Sequence, residues 1–270
     1  MKWLRRNELV VFLTLAFALS WWPWPLTVMN PESTPMIPWG PMIAAFIVLG
    51  LTRGWAGMKS LLADMVRWRV GARWYVLVFL LPIGVTFAAV YINIALGAPA
   101  PAASVFAISE LLLLIPQLLF ITIIQGPLTE EPAWRGFLLP RLQTKYSPLG
   151  ASLIIGVIWC SWHLPLLVSD PTSQRPPLQF LALTMAFSIL YTWIYNNAKA
   201  SLVLIALLHG VTNTFAGFLF PSQFGEYYLR LWWLYVAFWW VAAIFVVVRM
   251  SAGARAEEPI MIEHSQKPIS

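Results

Sequence analysis

The sequence predicts an all-α, polytopic membrane protein of about eight transmembrane helices with both termini in the cytoplasm. Three observations predict it: a scarcity of charge, a succession of long apolar runs, and a one-sided placement of the basic residues. Of 270 residues, 60% are hydrophobic and 10% charged, against about 25% charged in an ordinary soluble domain. The mean hydropathy is +0.73. So few charges cannot clothe a soluble particle of this size, and lipid must solvate much of it.

A spanning helix takes about 20 mostly apolar residues. Runs of that kind lie at 9–29, 36–52, 74–96, 104–126, 149–168, 178–196, 200–220 and 229–248. The first follows Lys2, Arg5 and Arg6 like a signal peptide. It is too long for a signal core and lacks a small-residue cleavage site, so it is read as a retained helix. The second is the weakest, being short and holding Pro38 and Pro41. Between spans, 53–73 places Met58, Leu61, Leu62, Met65 and Val66 at helical spacing among Lys59, Arg67 and Arg69. That pattern is a basic amphipathic helix lying on the inner membrane surface. Residues 127–148 form the other long cytoplasmic gap. Residues 1–250 read as one transmembrane domain, with its motifs in 129–213, and 251–270 as a polar, disordered cytoplasmic tail.

With eight spans, 15 of the 17 Lys and Arg residues fall on one side, leaving Arg175 and Arg230 on the other. The positive-inside rule makes the first side cytoplasmic. The net charge of +6 is then a topology signal, and no nucleic-acid partner is expected; membrane lipid is. The single cysteine, Cys160, excludes an intramolecular disulfide, and neither CxxC nor HExxH occurs.

Ionisable groups in spans need a partner or a purpose, so the polar clusters carry the functional reading. In Thr129-Glu130-Glu131-Pro132-Ala133-Trp134-Arg135, Gly126-Pro127 ends one helix and Thr129 is expected to cap the next, with Pro132 tolerated in its first turn. Glu131 and Arg135 are i,i+4 neighbours and can pair. Glu130 then points about 100° away, free for chemistry. The bland alternative is a capped helix with a solvated acidic start. His163 lies inside a span with Trp159 on the same face, and His209 and Asn213 share a face of another span. Each is equally compatible with polar glue between helices. Glu110 and Gln117 precede the glutamates and carry less weight, and His264 falls in the tail. Convergence of the glutamates, the two span histidines and Asn213 gives every one of them partners.

The stretch Glu130-Glu131…Arg135-Gly136-Phe137, then Trp-His-Leu-Pro at His163, then His209-x-x-x-Asn213, resembles the three motifs of the CAAX protease and bacteriocin-processing (CPBP, or Abi) family of intramembrane proteases, similar to type II CAAX prenyl endopeptidases. The family pattern has phenylalanine where this chain has Trp159, an aromatic exchange read as a packing variation. The resemblance implies an intramembrane endopeptidase in which Glu130 activates water with help from His163, while His209 and Asn213 form an oxyanion hole. Glu131 and Arg135 would hold the helix in place. It implies a peptide or protein substrate with a membrane-embedded or lipidated segment. No cofactor is favoured. The family has also been described as metalloproteases, and the inventory permits Zn²⁺ on Glu130, His163 and His209. A Cys160 nucleophile is a third variant.

Two other classes stay open: a transporter or proton relay, and a peptide-binding immunity protein without catalysis. Short loops point to a prokaryotic plasma membrane. One geometric demand follows. His163 lies about 21 Å into its span at 1.5 Å per residue, whereas this topology puts Glu130 near the cytoplasmic edge. Either the span 149–168 starts outside the bilayer or the helix at Thr129 re-enters the cavity.

Overall fold

The computed structural model describes residues 2–30, 33–169, 176–220 and 225–256, and among these there is no strand. After a short helix at Lys2–Arg6 come α1 (Glu8–Trp21), α2 (Gly40–Met65), α3 (Ala72–Ala95) and α4 (Ile108–Ile124). The helix α5 is built of three continuous pieces, Pro127–Glu131, a π-helical Pro132–Leu138, and Leu139–Leu142. Then follow α6 (Pro148–Trp162), α7 (Pro177–Asn197), α8 (Leu202–Leu219) and α9 (Gly225–Ala256). Among the described residues seven helical segments are long and apolar enough to cross a membrane, and α6 is a shorter apolar helix.

The expected elements differ in four places. The span at 36–52 and the amphipathic segment after it form the single helix α2, bent at Gly54 (φ 63°). Only glycine adopts that conformation without strain. Leu61 of the second half is buried, while Leu62 and Val66 are exposed. The span at 149–168 breaks at His163, where Pro165 follows and a separate turn of helix, Leu164–Ser169, begins. The backbone at 251–256 continues α9 as helix. Arg175, and the tail beyond Ala256 with His264 and Lys267, lie outside the described residues.

The fourth difference matters most. Residues 127–142 are not a solvated helix in a cytoplasmic gap but a helix buried almost all round, as the re-entrant alternative requires, with Thr129 through Arg135 buried without interruption. A helix buried on every side belongs to the core of the bundle. It packs against α2, α4 and α8 and turns back into α6 through 143–147. Ser147 caps α6, its Oγ accepting from the Gly150 N–H at 3.1 Å, with Pro148 at the first helical position. Arg141, near the turn, pairs with Glu8 of α1 at 2.9 Å.

This hairpin resolves the depth conflict. Glu130 lies twelve residues before Leu142, and Trp159 lies eleven residues after Pro148. At 1.5 Å per residue both sit about 16–18 Å from the hairpin turn, so they meet deep in the bundle. Helices α7 and α8 are the most enclosed of the membrane-length helices, with 67% and 61% of their most apolar stretch buried, against 22% for the spans containing α1 and α4. Small residues allow the close crossings: a Cβ on Gly156 of α6 would meet the Met185 backbone of α7 at 2.8 Å. Such contacts drive helix association where lipid supplies no hydrophobic force.

Candidate active site

The sharp entry to α5 is made by Gly126, whose φ of 139° is open to glycine. Thr129 is not the cap expected from the sequence. It stands inside the first turn, and its hydroxyl donates to the Gly126 carbonyl at 2.9 Å. Pro132 lacks the N–H that an α-helix would use there, and the backbone widens into the π turn beginning at that residue. Across the turn Arg135 stays within 3.0 Å of Glu131.

The two glutamates have separate partners. Glu131, fully buried, receives the Arg135 guanidinium at 3.0 and 3.3 Å, and its Oε1 lies 2.9 Å from Nδ1 of His209. Arg135 also donates to Ser188 Oγ at 3.2 Å and lies over the rings of Trp159 and Tyr191, 4.7 and 4.8 Å from their centroids. A planar guanidinium suits this double role of ion pair and ring stacking. Glu130 is 4% exposed and takes a different donor: the indole N–H of Trp159 reaches its Oε2 at 2.7 Å. The aromatic exchange at 159 is therefore more than packing, since phenylalanine has no such donor.

The histidines are oriented as well. Nδ1 of His163 lies 2.9 Å from the Trp159 carbonyl. A carbonyl only accepts, so Nδ1 carries the proton, and in the neutral ring Nε2 is the acceptor. His209 packs edge-on against Trp159, centroids 5.2 Å apart. Asn213 is exposed to the open space beside it.

Glu130, His163, His209 and Asn213 all line one cavity of about 530 Å³, together with Trp159. Glu131 and Arg135 stand behind the lining. Cys160 is half-buried and does not line the cavity. Among the described residues no three His, Cys, Asp or Glu side chains gather into a metal-holding group. Glu130, His163 and His209 therefore share a cavity without forming the compact donor set of a zinc site.

Two features of the cavity carry little or no weight in the sequence, where Gln117 is only a minor candidate. Gln117 and Ile121 of α4, with Gln125 at its C-terminal cap, form one wall; their spacing of four residues puts them on one helix face, a signal the sequence does contain. Phe220, Tyr228, Trp232 and Tyr235 add aromatic lining to the cavity, and nothing in a uniformly apolar chain marks them out.

The seven site residues read from the sequence lie within one recognisable segment. Residues 112–215 match the family described as Type II CAAX prenyl endopeptidase Rce1-like. A protein named CAAX prenyl protease 2, of Methanococcus maripaludis, is 29% identical over 92 residues, covering 31% of this chain and 34% of that protein. The chain thus spans about a third of the length of the curated relative it matches. Seven membrane-length apolar helices among the described residues, with this match, make the chain an integral, multi-pass membrane protein. Across the segment that carries all seven site residues it is similar to the Rce1-like CAAX prenyl endopeptidases, which bears out the resemblance read from its three motifs.

Proposed function

We propose that this protein is an intramembrane endopeptidase that uses a glutamate-activated water. The observation that carries the reading is the convergence of Glu130, His163, His209 and Asn213 on one cavity inside an apolar helical bundle. Glu130 is the general base. Its Oε2 is held by Trp159, which leaves Oε1 to take the proton of a water. Nε2 of His163, the accepting nitrogen of the neutral ring, holds that water or shuttles its proton. The water oxygen bonds to the scissile carbonyl carbon, and the carbonyl oxygen becomes the oxyanion.

His209 and Asn213 receive that oxyanion. With Nδ1–H donated to Glu131, Nε2 of His209 donates only when the ring carries both protons, and Glu131 supplies the counter-charge for that form. The Asn213 carboxamide adds a neutral donor. Such preorganised donors stabilise charge that develops only in the transition state. The tetrahedral intermediate collapses as the proton on Glu130 passes to the leaving nitrogen. Glu131 and Arg135 position the helix and His209, and no step runs through a metal.

The substrate is a membrane-associated or prenylated protein segment that enters the cavity, and the setting is a prokaryotic plasma membrane with both termini inside. The test is cleavage of matched peptides, with and without a C-terminal prenyl group, by the purified protein in proteoliposomes, with products identified by mass spectrometry. Cleavage confined to the lipidated peptide supports the full reading. Cleavage of both supports a protease without prenyl selectivity. Cleavage of neither, with a broad membrane-peptide library also untouched, overturns it.

A further inference from the structure

A second cavity, of about 550 Å³, lies away from the catalytic residues on the membrane-facing surface, where α3, α7 and α9 meet. Its lining is apolar, running along α3 from Leu77 past Gly84 to Ala88, and along α9 from Phe238 to Val246. Eleven residues of α3 rise about 16 Å, which is one leaflet of a hydrocarbon core about 30 Å thick. The groove is as long as a single lipid chain is deep.

Two arginines stand at one end of it. Arg73 lies one helical turn before Leu77, over the ring of Trp74 (5.3 Å), and Trp74 packs on the groove residue Trp193 with centroids 5.3 Å apart. Arg249 lies one turn beyond Phe245, itself a groove residue, with its guanidinium 5.3 Å from that ring. Both arginines are exposed, and neither makes an ion pair among the described residues. Both belong to the basic side of the sequence, where a headgroup would sit. Each guanidinium thus rests on an aromatic ring that is in the groove lining or packs against it.

We propose that this groove is a binding site for one anionic phospholipid, with an acyl chain lying along α3 between Leu77 and Ala88 and the phosphate on Arg73 and Arg249. Guanidinium recognises phosphate oxygens through paired N–H donors, and basic residues facing an anionic leaflet are attracted to it. The groove depth comes from Gly84, where a Cβ would meet nothing within 4 Å. A larger residue there occupies the chain position without displacing the core. The site stands apart from the proposed proteolysis, and its test does not depend on activity.

The full chain is purified in a neutral detergent and given phosphatidylglycerol or phosphatidylcholine. Thermal melting and native mass spectrometry are read for each lipid. Phosphatidylglycerol is expected to raise the melting temperature and to remain as one retained lipid per chain, with phosphatidylcholine retained at least tenfold less. Arg73→Gln with Arg249→Gln, and separately Gly84→Leu, should each lower phosphatidylglycerol retention at least tenfold. Arg5→Gln with Arg6→Gln, which removes the same charge elsewhere, should leave it unchanged. Equal retention of the two lipids, retention surviving Gly84→Leu, or equal loss in the Arg5/Arg6 control would overturn the proposal. So would a dimer that Gly84→Leu dissociates with lipid retention intact, since the groove would then hold a second copy.

Discussion

The Trp159 indole N–H donates to Oε2 of Glu130 across 2.7 Å, joining the two arms of the α5–α6 hairpin deep in the bundle. The same ring packs edge-on against His209 and underlies the Arg135 guanidinium. One side chain thus touches both glutamate systems, as a donor to one and as a surface for the other. Trp159→Phe removes the donor and keeps most of the surface. A hydrogen bond to a charged group is worth about 1.5–3 kcal/mol, and tenfold in rate is about 1.4 kcal/mol. Cleavage by Trp159→Phe is expected to fall about tenfold or more with folding retained, whereas Trp159→Ala loses the ring and should also lower the melting temperature. Parallel rate and melting measurements separate the two effects.

The paired glutamates should respond differently to the same isosteric change. Glu130→Gln keeps a carbonyl to accept from Trp159, so its melting temperature should match the wild type while cleavage is lost. Glu131→Gln leaves Arg135 buried without its counter-charge and removes the partner of His209. Breaking a buried ion pair from one side costs about 3–5 kcal/mol. A melting temperature lowered for Glu131→Gln and unchanged for Glu130→Gln is the expected pattern.

Asn213 lines the cavity from an exposed position on α8. Asn213→Ala should fold as the wild type and lose about 10²–10³ in rate, the usual cost of one oxyanion donor. The loss should appear in kcat with KM little changed, since the donor acts on the transition state.

Helices α4 and α8 touch where Gly210 meets Thr122, and a Cβ on Gly210 would overlap Thr122 Oγ1. Gly210→Ala should destabilise by about 1–3 kcal/mol through overpacking. Adding Thr122→Ala should recover part of that loss, because the two sites share one contact. Chemical melts of the two single variants and the double variant give the coupling.

The helical plan was legible because apolar runs and basic gaps obey bilayer physics directly. The buried position of 127–142 was not, because its Glu, Glu and Arg residues resemble a solvated helix start. Glu131 and Arg135 neutralise each other within α5, but the Trp159 and His209 partners come from α6 and α8, and pairing across helices is invisible to local spacing. The i,i+4 relation of Glu131 and Arg135 could be read. The hydrogen bond of Trp159 could not, since sequence alone cannot tell a donor from a packed ring. The break at His163 had a visible cause in Pro165, and Gly54 likewise marked the bend in α2.

The most direct measurement is cleavage of a membrane-embedded peptide substrate by wild type and by Glu130→Gln, matched in melting temperature, each with and without a zinc chelator. The account predicts cleavage by the wild type that is indifferent to chelator and absent from Glu130→Gln. Cleavage retained by Glu130→Gln, or wild-type cleavage abolished by chelator and restored by zinc, would contradict it.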